Sequence, residues 1–166
     1  MSSRESAFSG CSNLMSIIIP DSVISTGEYA LMQCYRITYV NIPDNVTSIG
    51  SGAFGSCNSL ESITVDPLNT EYSSDENGVL FNKDKTELLQ YPTRNRRKNF
   101  IIPDSVTTID GEAFFGCKTL ASVIIPDSVT NIAATTFYGC SNLMSLNVDN
   151  FDTSNVTDMS TMFSGC

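Results

Sequence analysis

Six cysteines are the most evenly spaced reactive side chains in this 166-residue chain: Cys11, Cys34, Cys57, Cys117, Cys140 and Cys166. A thiolate can act as a nucleophile, a soft metal ligand or half of a disulfide. The chain has no Cys-x-x-Cys pair and no histidine. The usual zinc patterns and the Cys–His dyad therefore lack their partners, and no metal site is expected. An even cysteine count would suit a disulfide framework in an extracellular protein. The spacing points elsewhere, because the gaps are 23, 23, 60, 23 and 26. Such a ruler belongs to a repeat. Equivalent positions in stacked units lie about 5 Å apart, but their Cβ atoms point the same way rather than at each other. The expected state is a ladder of small, buried, free thiols, with Cys166 the residue most able to link chains.

The charged residues offer two further chemistries. Asp21, Asp44, Asp104, Asp127 and Asp149 form a periodic row. Stacked carboxylates could hold calcium. Aspartate after proline is also ordinary turn chemistry, and that explains the row without an ion. Six of the nine basic residues fall between Lys83 and Lys98. On a chain of net charge −9 this is an asymmetry, with Arg94, Arg96 and Arg97 as candidate contacts to an acidic glycan or partner, set against the reading of a solvated loop. The acidic balance argues against nucleic acid as a partner. No nucleophile, base and orienting group stand together as a set, so neither catalysis nor a cofactor is expected. Asn45-Val46-Thr47 and Asn155-Val156-Thr157 fit the glycosylation sequon, but both follow from the repeat.

These residues are positioned by the repeat. Three before the cysteines stand Phe8, Leu31, Phe54, Phe114, Phe137 and Phe163; three after stand Leu14, Ile37, Leu60, Leu120 and Leu143. Pairs two apart follow: Ile17/Ile19, Val40/Ile42, Ile63/Val65, Val123/Ile125 and Leu146/Val148. A period of two reads as a short strand with one buried face. Pro20, Pro43 and Pro126 end three of them, as suits a residue without an amide hydrogen. Units of 23 residues bury an apolar side only by stacking, which predicts a solenoid with parallel strands. The positions between the buried pairs then face outward. They are Ile18, Asn41, Thr64, Ile101, Ile124 and Asn147, beside a second row containing Ser16, Tyr39, Ser62, Asn99, Ser122 and Ser145. Ile101 and Ile124 are expected to be exposed neighbours, with Tyr39 on the same sheet, and such a pair on a polar face can mark a contact surface.

Two gaps break the rule. The gap of 60 contains one ordinary repeat and one of 37, so residues 66–99 read as an enlarged connection. Within it, Gly78–Phe81 and Glu87–Tyr91 flank Asn82-Lys83-Asp84-Lys85-Thr86, which predicts a β-hairpin. The gap of 26 marks residues 144–166 as a variant repeat. No apolar run approaches the roughly 20 residues of a membrane helix. The N-terminus has no secretory signal pattern, and the chain opens and closes within a repeat, as a piece of a longer protein would.

Leu14-x-x-Ile17-x-Ile19-Pro20-x-x-Val23 with Ala30 and Cys34, and its copies, resemble the Treponema-type leucine-rich repeats of BspA-like surface proteins. The segment from Val65-Asp66-Pro67 through Gly78-Val79-Leu80-Phe81 to Tyr91-Pro92 resembles the long repeat variant of that family. Phe151-Asp152-Thr153-Ser154-Asn155-Val156-Thr157-Asp158-Met159 resembles a repeat of bacterial surface lipoproteins. The resemblance implies one β-rich leucine-rich-repeat solenoid over 1–166, of about six coils. A parallel sheet would form one face, with turns and short helical turns on the other and one hairpin insertion. It also implies a surface or secreted adhesin-like role toward a host or neighbouring-cell protein or glycan. A structural spacer that self-associates end to end is the alternative. The candidate contacts are Tyr39, Asn41, Thr64, Ile101, Ile124, Asn147, Arg94, Arg96 and Arg97.

Overall fold

In the computed structural model, which describes residues 6–147 and 161–166, the chain winds as a solenoid whose coils have three sides. The first side carries the period-two apolar pairs. Here β2 (Tyr39–Ile42) lies parallel to β4 (Ser62–Val65), with Val40 opposite Ile63. Further along, β8 (Asn99–Ile101), β10 (Ser122–Ile124) and β12 (Ser145–Asn147) form a three-stranded parallel sheet. Phe100, Val123 and Leu146 share one inward row, and Ile101, Ile124 and Asn147 one outward row. The expected strand at Ile17–Ile19 does not form a ladder, although Ile17 and Ile19 still pack against the neighbouring core.

The second side is built from two-residue rungs after the Pro–Asp turns. β1 (Ser25–Thr26) pairs with β3 (Ser48–Ile49), and β9 (Thr108–Ile109) with β11 (Asn131–Ile132), all parallel. The third side is a run of turns closed by bonds from residue i+3 to i, such as the Cys57 amide to the Phe54 carbonyl at 3.2 Å. It bonds coil to coil in both directions. The amide of Leu31 donates to Ala53 at 2.9 Å, and that of Phe114 to Thr136 at 3.0 Å. The cysteine thiols point back: Cys34 Sγ donates to the Phe8 carbonyl at 3.3 Å, Cys57 to Leu31 at 3.2 Å, and Cys140 to Phe114 at 3.1 Å. This ladder explains the cysteine ruler, since a small weak donor fits the slot and satisfies a carbonyl. All six cysteines are free; Cys34, Cys57, Cys117 and Cys140 are buried, while Cys11 and Cys166 are exposed. Burial pushes the Cys57 thiol up to about 12, reinforced by the neighbouring Cys34.

The third side also imposes a backbone demand. Two residues per coil take positive φ, five before and one before each cysteine. Gly10, Gly116, Gly139 and Gly165 meet the second demand without strain, but Gln33 (φ 60°) and Ser56 (φ 57°) meet it as L-residues.

The interruption between Cys57 and Cys117 is narrower than residues 66–99. Its ends stay in repeat phase. Asn69 sits under Val46 and Tyr72 under Ile49, bonded to each. At the far end Tyr91 joins the aromatic ladder, stacking on Phe114 at 5.3 Å, which stacks on Phe137 at 5.0 Å, which stacks on Phe163 at 5.8 Å. The extra chain is an antiparallel meander of β5 (Tyr72–Ser74), β6 (Leu80–Asn82) and β7 (Glu87–Gln90). β7 then pairs parallel with β9 and rejoins the second side. Most of the variant repeat read at 144–166, including Asp149, lies outside the described residues.

Candidate binding face

The β5–β6 connection reaches across to the first side. The amide of Ile63 donates to the Gly78 carbonyl at 3.0 Å, and that of Val65 to Ser74 Oγ at 3.3 Å. Segment 74–78 thus lies against β4 where the next rung would pair. The first-side sheet is split in consequence, two strands before the insertion and three after. The expectation that Tyr39 shares a sheet with Ile101 and Ile124 is corrected here, because the meander takes the hydrogen bonds that would have joined β4 to β8. The core divides at the same seam: Val79 belongs to the cluster of Phe100 and Phe114, and its neighbour Leu80 to that of Ile63 and Leu60.

The seam is held by polar groups whose role the repeat pattern does not announce. Asp75 accepts from its own loop, at the amides of Asn77 (3.0 Å) and Val79 (2.8 Å). Its second oxygen receives Arg97 Nη2 at 2.6 Å. The Arg97 guanidinium also lies over the Phe100 ring at 4.8 Å. Buried Asn95 donates to the Asn77 carbonyl at 2.7 Å, and the Tyr91 hydroxyl donates to the Arg97 carbonyl at 2.6 Å. Arg97, a candidate contact by sequence, is therefore committed to the joint between the meander and β8.

Beside the joint opens a polar pocket of about 270 Å³, lined by Tyr39, Glu61, Glu76, Asn77, Asn95 and Arg96 among others. It brings together two sequence candidates, Tyr39 and Arg96, that are far apart in the chain. The Tyr39 hydroxyl donates to Glu61 Oε2 at 2.9 Å, and Arg96 Nη2 stands 3.9 Å from the same oxygen. Hydrogen bonding to Glu61, and then the Glu61 charge, push the Tyr39 phenol upward, with Arg96 opposing. The pocket offers an aromatic face, a guanidinium, two carboxylates and amide groups, a set suited to polar recognition. Glu61, Glu76, Asn77 and Asn95 were missed by sequence reasoning. The only signal for them was the break in the repeat.

The remaining candidates sort by position. Arg94 is exposed and outside the pocket lining. Two other members of the basic run have separate partners: the Lys83 ammonium donates to the Asn69 carbonyl, and Lys85 stands 6.0 Å from the Phe81 ring. Thr64 Oγ1 donates to Asn41 Oδ1 at 3.0 Å, so these two form a rigid polar patch on β2–β4. Ile101 and Ile124 are neighbours in register and 67% and 43% exposed, with exposed Asn147 next in the row. Asp21, Asp44, Asp104 and Asp127 are exposed turn residues. Among the described residues no group of three acidic, cysteine or histidine side chains is arranged to hold a metal ion, and no helix is long and apolar enough to cross a membrane.

Comparison with known proteins supplies the family. A model of the BspA type leucine rich repeat region matches residues 3–85 and 90–166, in 6 copies. A leucine rich cell surface protein of Faecalibacterium prausnitzii is 34% identical and superposes with a TM-score of 0.76, over 87% of this chain and 38% of that one. The pneumococcal vaccine antigen PcpA shares the fold at 21% identity and TM-score 0.72, over 81% of this chain and 39% of its own. A leucine-rich repeat protein of Eubacterium ventriosum aligns at 24% identity and TM-score 0.58, over 88% of this chain and 57% of its own. This chain thus spans under two-fifths of the first two structures. No curated protein matched. The six repeat copies, matched over nearly the whole sequence, make the chain a member of the BspA-type leucine-rich repeat family.

Proposed function

We propose that the chain is a non-catalytic binding module of a cell-surface or secreted adhesin-like protein. It recognises a protein or glycan of a host or neighbouring cell through the first-side sheet and the meander beside it. The observation that carries this reading is the Ile101–Ile124 pair, left exposed in register on a sheet face whose other outward residues are polar. Exposed apolar side chains side by side on a rigid platform bind at little ordering cost. The Tyr39–Glu61–Arg96 pocket adds polar specificity at the same face. The relative named a cell surface protein supports the location.

The test is capture of extracellular-matrix proteins and a glycan panel on immobilised chain. Ile101→Ser with Ile124→Ser, and Arg96→Ser, should each lower capture while leaving the melting curve unchanged. Undiminished capture by both variants refutes the reading. Arg97 is left intact because its loss would loosen the Asp75 joint. The second reading is a self-associating structural spacer of a larger surface protein. Sedimentation as a strict monomer removes it.

A further inference from the structure

We propose that the preferred occupant of the β8–β10 face is a polypeptide segment with apolar side chains at its centre and basic residues at one end. This rests on the reading of the first-side sheet as the binding surface and names the partner's chemistry. Beyond the exposed ends of Ile101 and Ile124, each strand runs through proline into a hydrogen-bonded turn. The amide of Val106 donates to Pro103 at 3.0 Å and that of Val129 to Pro126 at 3.1 Å. These turns hold Asp104 and Asp127 exposed at the same register, one rung apart, roughly 4.8 Å. Neither carboxylate is engaged by another described residue. The opposite edge of the face, before the strands begin, carries Lys98 and Lys118 in a groove of about 500 Å³ with Leu143 and Met144. Met144 is 85% exposed. The face therefore has an apolar middle, an anionic margin past the strand ends and a cationic margin before their starts.

That pattern selects among ligands. A bilayer surface rich in anionic lipid would meet the Asp104–Asp127 margin with like charge. A glycan has hydroxyls where the isoleucines need apolar atoms, and would leave them badly paired. A peptide supplies both, with apolar side chains over Ile101 and Ile124 and lysine or arginine over the carboxylates. Rim charges of this kind orient the peptide and speed its association, a contribution that salt screens.

The experiment uses two labelled synthetic peptides with the same leucine-rich centre, one carrying lysines at one end (the leucine–lysine peptide) and one carrying glutamates there (the leucine–glutamate peptide). Binding is read by fluorescence anisotropy at low salt and at about 0.5 M salt, where the Debye length falls to a few ångströms. The leucine–lysine peptide should bind, and tightly only at low salt. Asp104→Asn with Asp127→Asn should weaken it several-fold and flatten the salt dependence. Glu71→Gln with Asp84→Asn, which removes the same net charge from exposed sites on the insertion, should leave it unchanged. Equal weakening by both pairs means attraction to net charge alone and overturns the proposal, as does preference for the leucine–glutamate peptide. If Ile101→Ser with Ile124→Ser abolishes capture of matrix partners while Asp104→Asn with Asp127→Asn does not, the sheet face remains the binding surface and the basic-peptide class falls. If neither pair matters, both readings fall.

Discussion

Replacing Asn69 by valine pits the repeat pattern against the structure. Asn69 stands 23 residues after Val46, in a slot that holds Val106 and Val129 in later coils. Repeat averaging would therefore recommend valine and expect a gain in stability. The structure predicts a loss. Asn69 is fully buried and uses its whole amide: Nδ2 donates to the carbonyls of Pro43 (2.7 Å) and Val46 (3.0 Å), and Oδ1 accepts from the amides of Glu71 (2.9 Å) and Tyr72 (2.8 Å). Valine would leave the Val46 carbonyl and the amides of Glu71 and Tyr72 without these partners, while the Pro43 carbonyl keeps the Val46 amide at 3.4 Å. Each buried group left unsatisfied costs about 1–3 kcal/mol. The two at Glu71 and Tyr72 are only partly buried and regain some water. Burying the valine side chain returns about 1.5 kcal/mol. The balance is a net loss of roughly 3 kcal/mol, which for a domain of this size is about 6–12 °C in melting temperature. Thermal and urea unfolding followed by circular dichroism will measure it. A variant as stable as the parent, or more so, would show that the slot is governed by apolar fill and that the Asn69 bonds are incidental.

Three other outcomes follow from the same geometry. A thiol reagent at neutral pH should label Cys11 and Cys166 in the native chain and all six cysteines after denaturation without reductant; a total of two or fewer would mean disulfides. Gln33→Gly should raise stability by about 0.5–1 kcal/mol, because the left-handed conformation costs an L-residue roughly 1–2 kcal/mol and glycine returns part of that as chain entropy; a lower melting temperature would refute the strain. Burial lifts Glu87, Asp110 and Glu112 above the ordinary carboxylate range, and the Asp110 charge lifts Glu87 and Glu112 further. Folded values above unfolded ones mean that protonation favours the fold below the unfolded pKa and that this contribution is lost as pH rises through the folded values. Asp110→Asn should accordingly stabilise the chain at pH 7 and do little at pH 3; equal effects at both would refute the sign.

Sequence alone was enough for the coil. Stacking requires the same few slots to be filled once per turn, so a period of 23, the in-phase phenylalanines and the pairs two apart specified a solenoid with parallel strands, free thiols, and Ile101 beside Ile124. Local rules cover these features because each is repeated and each neighbour is a copy. Tertiary structure alone decided what happens where copying stops. The meander 72–90 rejoins the ladder because Tyr91 can replace a phenylalanine only if its hydroxyl finds the Arg97 carbonyl. Arg97 turned from a candidate contact into a strut because Asp75, 22 residues earlier, folds back to meet it. Glu61 became part of a pocket because the tip of the insertion occupies the rung beside β4 and brings Glu76 and Arg96 to its side. In each case the partner is distant in sequence and unique in the chain, so no period announces it and only the folded stack brings it within hydrogen-bonding range.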